Sequence, residues 1–271
     1  MSIPLLQLVA YLDSLFPIRL AEKWDHVGLL VGDSERIVRR VMCCLTVTPR
    51  IVEEAVRERV DMVVSHHPFP FHAMQRIVEG PDKEPVGGSI DGGMMLNLIE
   101  GRVAVYSPHT AHDSGHNGVN AQLAGMFGLG GIRPLVPDTE DPGVGTGRIG
   151  KLPQPASLLS LVHFLKERLS LPYCHYVGEP GSRVQTLAVC CGAADDFIAT
   201  ARSNGADVLV LGEARFHACL EAESLGLALL LPGHYPSERF AMDRLADRIT
   251  ADWPTLECFA SRCENDPVKG R

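Results

Sequence analysis

Asp61-Met62-Val63-Val64-Ser65-His66-His67-Pro68-Phe69 is an apolar run that stops abruptly in two adjacent histidines and a proline. Short apolar runs rich in valine that are bounded by polar or turn residues read as strands buried on both faces. Upstream, Thr48-Pro49 supplies an N-cap hydroxyl and a proline suited to the first helical position. Ile51, Val52, Ala55 and Val56 then form the apolar stripe of a short helix. Before that helix, Arg40 to Val47 is another β-type run. Strand, helix, strand is a βαβ unit, whose parallel crossover is right-handed almost without exception, and it delivers His66 and His67 at the carboxyl end of a strand.

The same outline recurs downstream. Cys190-Cys191 precedes Asp207-Val208-Leu209-Val210-Leu211-Gly212 at nearly the spacing by which Cys43-Cys44 precedes Asp61 to His66. Two related α/β lobes follow from this, the second ending its strand in Gly212-Glu213 where the first has the histidine pair. Around these units, Leu5 to Phe16 repeats apolar residues at helical spacing until Pro17. Gly28 to Gly32 reads as a strand, Gly80 to Gly93 as a surface loop, and Met94 to Ile99 as a helix. Val103 to Tyr106 reads as a strand, and Val119 to Phe127 and Leu158 to Leu169 as helices. Ile132 to Pro155 turns to Pro, Gly, Asp and Thr and reads as a crossing between domains, while Ser261 to Arg271 reads as a frayed polar tail. The division expected is residues 1–130 plus 228–262 as one discontinuous lobe, 131–227 as the second, and 263–271 as a flexible tail.

Polar groups of one chemical type gather where strands end. Val103 to Tyr106 is followed by His109, Thr110, His112 and Asp113, and Ala228 to Leu231 by Gly233-His234-Tyr235-Pro236-Ser237-Glu238. In open α/β sheets, ligands bind outside the carboxyl ends of strands. Imidazoles with carboxylates and no thiolate suit Zn, Mn, Fe or Ni. A two-metal site of this kind activates water and polarises the bond it attacks, which is hydrolytic chemistry. Each cluster also has an ordinary explanation: a histidine after a strand is usually a hydrogen-bonded turn residue, and Glu238 in a first helical turn is favoured by the helix dipole. Trp24 and Asp25 could be a site wall and a ligand, but local pattern favours an anchoring aromatic and a turn carboxylate. His72, His116, His163 and His175 lack a partner pattern.

Bulk properties exclude other classes. The chain has 271 residues, 45% of them hydrophobic, and a net charge of −8, enough for a sizeable core and with no basic footprint for nucleic acid or an anionic membrane. Its longest apolar stretches fall far short of the roughly 18 residues that a membrane-spanning helix needs, and Asp13 and the missing basic segment argue against a signal peptide at the N-terminus. A cytoplasmic protein is expected. Eight cysteines with vicinal pairs inside strand-like runs and no C-x-x-C motif read as reduced, buried thiols. Gly145-Thr146-Gly147-Arg148-Ile149-Gly150 fits the letters of a dinucleotide fingerprint, yet no strand precedes it, and Pro153 and Pro155 block a helix after it, so no nucleotide cofactor is expected.

Trp24-Asp25-His26-Val27-Gly28-Leu29-Leu30-Val31-Gly32-Asp33, Ser65-His66-His67-Pro68, His109-Thr110 with Asp113, Gly145-Thr146-Gly147-Arg148, and Gly233-His234-Tyr235 with Glu238 resemble, in order and over almost the whole chain, the NIF3-like family, also called GTP cyclohydrolase 1 type 2 homologs. The resemblance implies a fold of two αβα lobes, with a dinuclear metal site at strand carboxyl ends in the cleft, and a ring-shaped homohexamer. It places two divalent ions on His66, His67, Asp113, His234 and Glu238, with Glu238 bridging, and makes His109 an inner or supporting group. The function implied is a metal-dependent hydrolase acting on a purine nucleotide or related N-heterocycle, with His109 and Glu213 as candidate proton carriers. The alternative is a non-catalytic metal-binding regulatory or partner-binding protein whose ions stabilise the ring. Thr46 stands where many members carry an aspartate, His112 replaces a usually apolar residue, and His26 stands where asparagine is common.

Overall fold

In the computed structural model, which describes residues 2–74, 76–78 and 90–270, the chain opens with β1 (Ile3–Pro4), α1 (Leu5–Leu15), β2 (Gly28–Val31), β3 (Ile37–Val38), β4 (Arg40–Cys44), α2 (Pro49–Arg57) and β5 (Met62–Ser65). It continues through α3 (Ile90–Glu100), β6 (Ala104–Ser107), α4 (His109–Ser114), α5 (Val119–Met126), β7 (Gly130–Arg133), β8 (Val136–Pro137), β9 (Gly145–Thr146) and β10 (Arg148–Ser157). There follow α6 (Leu158–Arg168), β11 (His175–Val177), β12 (Arg183–Ala193), α7 (Ile198–Ser203), β13 (Val208–Glu213), α8 (Phe216–Ser224), β14 (Ala228–Leu231), α9 (His234–Glu238), α10 (Phe240–Asp252) and β15 (Glu257–Ala260). Two compact units result: Met1–His112 with Ala241–Asn265, and Asp113–Phe240 with Asp266–Arg271.

The first unit is built on a five-stranded sheet in the order β15-β4-β5-β6-β2. Four strands run parallel and β2 is an antiparallel edge. The βαβ unit forms as its residues dictate. Thr48 caps α2 by accepting the Ile51 N–H at 3.4 Å, Pro49 occupies the first turn, and Ile51, Val52 and Ala55 are buried. These three pack with Met42, Cys44, Val63, Leu98 and Val105 in one apolar cluster. Truncating a fully buried residue such as Ile51 to alanine costs about 2–5 kcal/mol in such a setting.

The second unit carries a six-stranded sheet in the order β11-β14-β13-β12-β10-β7, in which β12, β13 and β14 are parallel and the others antiparallel. Alternate residues along its parallel strands serve different cores. Val189, Val210 and Leu230 join Leu123, Leu158, Leu161 and Leu165 in one cluster, and Ala188, Leu209 and Leu229 join Ile198, Ala201, Ala218 and Ala222 in the other. Helices therefore cover both faces of this sheet.

The likeness of the halves has a structural basis in two aspartates. Asp61 accepts the Arg39 and Arg40 N–H groups, and Asp207 accepts the Gln185 and Thr186 N–H groups. Each carboxylate thus ties the start of one strand to the start of its parallel neighbour.

Several expectations change. Residues 80–89 of the expected loop lie outside the described residues, and the helix read as beginning at Met94 already begins at Ile90. The stretch 132–155 is not a crossing but largely β-structure. Pro153 and Pro155 sit where the pairing of β10 with β12 shifts register, a place where their missing N–H groups cost no ladder bond. β14 belongs to the second sheet, and residues 113–130 and 228–240 pack with the second unit rather than the first. The tail is tied down at Glu264, whose carboxylate accepts the N–H groups of Leu45 and Thr46.

Candidate metal centre

In the first unit, β5 and β6 run side by side, and their ends are stitched together. The Ser107 hydroxyl donates to the His66 carbonyl at 2.7 Å, the His109 N–H donates to the same carbonyl at 3.1 Å, and the Ser65 hydroxyl donates to the His67 carbonyl. Three imidazoles meet there. His66, His67 and His109 each offer a ring nitrogen, all within 4.8 Å of one another, with ring centroids 5.1 to 5.4 Å apart. Three imidazole nitrogens converging at that separation fit a divalent ion of borderline softness.

Two of these rings are oriented from behind. His109 Nδ1 lies 2.9 Å from Asp25 Oδ1, and Asp25 in turn accepts the Thr110 hydroxyl and N–H on its other oxygen. Burial works against the Asp25 carboxylate, whose side chain is only 1% exposed, but the hydrogen bonds from His109 and Thr110 prevail and hold its pKa below the usual value. His67 Nδ1 is met by the Thr46 hydroxyl at 2.6 Å. Such partners fix the tautomer and turn the other nitrogen toward a ligand. His109 also sits at φ +27°, a backbone conformation that costs energy and collects at functional sites.

Two aromatics stand edge-on to His109. Trp24 is centred 5.8 Å away and Phe71 6.3 Å, and they are 61% and 49% exposed. Asp25 is a turn carboxylate, as expected, accepting the His26 N–H at 2.8 Å, and it also orients the His109 ring, beside which Trp24 stands largely exposed. No local pattern could reveal this, because Asp25 and His109 are 84 residues apart. His112 is buried, its ring 4.4 Å from Phe16 and 5.8 Å from His66.

In the second unit, β13 ends in Gly212-Glu213, and β14 leads through Gly233 into α9. Glu213 Oε1 lies 2.9 Å from His234 Nδ1, and Glu238 Oε2 lies 3.2 Å from His234 Nε2. Burial disfavours the His234 imidazolium, but Glu238 and Glu213 override it and push its pKa up to about 9. Glu213, expected as a proton carrier, contacts the His234 ring at this point. Close packing holds this corner: a Cβ on Gly212 would lie 2.7 Å from the Gly192 carbonyl and 2.8 Å from the Ser237 hydroxyl. Asp113 is bound by Cys191, whose Sγ donates to Asp113 Oδ1 at 3.3 Å. Burial, with the Asp113 and Glu238 carboxylates nearby, pushes the Cys191 thiol well above its ordinary pKa.

Of the expected site residues, His66, His67 and His109 are thus brought together in one unit, and His234, Glu238 and Glu213 in the other, with Asp113 and Glu238 both near Cys191. These features define a two-unit α/β protein that presents imidazole and carboxylate donors at strand ends. A family model described as Duf34/NIF3 (NGG1p interacting factor 3) matches residues 4–267, and the chain belongs to that family. It is 31% identical to a Streptomyces coelicolor protein called GTP cyclohydrolase 1 type 2 homolog, over 96% of this chain and 92% of that one. It is 30% identical to NIF3-like protein 1 of Drosophila melanogaster, over 96% and 87%. Its fold is similar to the crystal structure of a Bacillus cereus protein related to NIF3, with a TM-score of 0.86, 21% identity and coverage of 98% of both chains. No described helix is long and apolar enough to cross a membrane.

Proposed function

We propose that the protein is a dinuclear metal-dependent hydrolase that opens the imidazole ring of a purine nucleotide or related N-heterocycle. The observation that carries the reading is the convergence of His66, His67 and His109 ring nitrogens within 4.8 Å, each ring set at the end of a parallel strand. His66, His67, Asp113, His234 and Glu238 would hold the two ions. Divalent ions, when bound, supply electrophilic activation of water and of the bond it attacks. The chain's own residues bind and orient. His109, whose Nδ1 meets Asp25, and Glu213, which keeps His234 turned toward Glu238, would carry protons at the site. Trp24 and Phe71 give a planar ring an aromatic wall beside His109.

The substrate class comes from the name carried by curated relatives, GTP cyclohydrolase 1 type 2 homolog. With GTP, one water would open the ring at C8 and a second would release C8 as formate. The test is formate release from GTP by protein reconstituted with Zn, Mn, Fe or Ni, beside His67→Ala and Glu238→Ala. Metal-dependent formate that both variants lose is the expected result; equal release by all three proteins overturns the catalytic reading.

A second reading is favoured by the family's description as an interacting factor: a metal-binding regulatory protein of the cytoplasm, assembled as a homohexamer that its ions stabilise. Under that reading, a chelator lowers the melting temperature or dissolves the oligomer while no substrate turns over.

A further inference from the structure

Arg148, the last residue of the Gly145-Thr146-Gly147-Arg148 motif, is spent on something other than a nucleotide. It is a cation only 3% exposed, and its hydrogen bonds among the described residues go to four main-chain carbonyls rather than to a carboxylate. Nη1 donates to Gly145 and Gly147 at 2.7 Å each, and Nη2 donates to Ser114 at 3.1 Å and to Gly115. A buried charge is expensive, and its removal from water has to be matched by good donors and acceptors on every side. Only the planar fork of an arginine reaches two separate pairs of carbonyls at once.

The two pairs are not equivalent. Gly145 and Gly147 flank Thr146 where β9 passes into β10, and neither position admits a side chain. Gly147 has φ +63°, and a Cβ there would lie 2.5 Å from Cys190 Sγ and 2.9 Å from the Val189 carbonyl. Ser114 and Gly115 are the residues immediately after Asp113. Asp113 is fastened at two further points: its own carbonyl accepts the Asn120 amide at 3.2 Å, and its carboxylate accepts the Cys191 thiol at 3.3 Å. Asn120 closes the set by accepting the Cys191 N–H at 2.7 Å. The backbone around Asp113 is therefore clamped by a frame of buried groups, with Arg148 gripping the turn that leaves it.

We infer that Arg148 is a positioning residue for a metal-ligating Asp113, holding the turn after it so that the carboxylate is presented to an ion in one orientation. The inference rests on the assignment of Asp113 as a ligand. It asks of Arg148 what supporting groups do at metal sites generally, where their loss weakens metal binding about ten- to a hundredfold.

The test is metal affinity, measured by competition of the metal-stripped full chain with a chromogenic chelator for Zn(II), together with a melting curve of the stripped protein. Arg148→Lys keeps the charge but loses the fork; Arg148→Ala leaves a space that free guanidinium can fill. Expected are a stripped Arg148→Lys protein that melts near the wild type yet binds one Zn(II) at least tenfold more weakly, and recovery of Arg148→Ala on adding guanidinium. Wild-type affinity in Arg148→Lys, alongside weakened binding in Asp113→Asn, overturns the positioning role and leaves Asp113 a ligand. Undiminished binding in Asp113→Asn removes the premise itself. Variants that fail to fold with or without guanidinium make Arg148 a folding residue and overturn the inference as well.

Discussion

The Thr46 hydroxyl lies 2.6 Å from Nδ1 of His67. A hydroxyl can fix the ring's tautomer and rotation as a carboxylate does, but it adds no negative charge behind the imidazole. Thr46→Val should weaken Zn(II) binding about tenfold through loss of that partner, and Thr46→Asp should strengthen it. Chelator competition on the stripped protein measures both. Equal affinities in all three proteins would show that Nδ1 of His67 needs no partner.

Asp25 gives a pH signature to the first unit. Its folded pKa lies below the unfolded value near 3.8, so the stabilisation it contributes is fully present above that pH and is lost as pH falls through the folded value. Asp25→Asn should therefore cost about 1–3 kcal/mol at pH 7, the scale for a buried partner left unmatched, with the cost shrinking at pH values below about 4. Urea unfolding of both proteins across that range tests the sign; a penalty that grows in acid contradicts the account.

Trp24, more than half exposed and edge-on to His109, has little packing to lose. Trp24→Ala should leave the melting curve nearly unchanged and raise KM for a heteroaromatic substrate about tenfold with a smaller effect on kcat, the scale of a base stacked on an aromatic ring. A loss confined to kcat would place Trp24 in the chemistry rather than in binding.

None of the eight cysteines is in a disulfide, yet they should differ in reactivity. Burial pushes the Cys190 thiol up to about 12, and Cys191 also lies well above the ordinary value, so both are almost wholly protonated at pH 8 and inert as nucleophiles. Iodoacetamide followed by peptide mass spectrometry should find Cys258 and Cys263, both partly exposed, modified well before Cys190 or Cys191. Early labelling of Cys191 would mean that this corner of the second unit opens readily.

The parts of this molecule visible in the sequence are those in which one local run carries its own physical signal. Met62 to Ser65 is apolar because both faces of β5 are buried, and its abrupt change to His66-His67 marks a strand end. The matched Asp61 and Asp207 that immediately precede β5 and β13 make the two related halves readable. What escaped depends on distant partners. Asp25 acquires its role only from His109, Thr46 from His67, and Arg148 from Ser114 and Gly115. The β10 strand was hidden because prolines at an irregular pairing look like a linker. Ala228 to Leu231 was legible as a strand but not as a member of the second sheet, since an apolar run does not say which neighbours it pairs with.

The central claim is that the strand-end imidazoles and carboxylates hold divalent metal, and the metal content of the purified full chain tests it most directly. Elemental analysis after reconstitution should give two equivalents per chain for the wild type, and clearly less for His67→Ala and for Glu238→Ala with both variants still folded. Wild-type protein that retains no metal after desalting, or variants that retain as much as the wild type, would contradict the account.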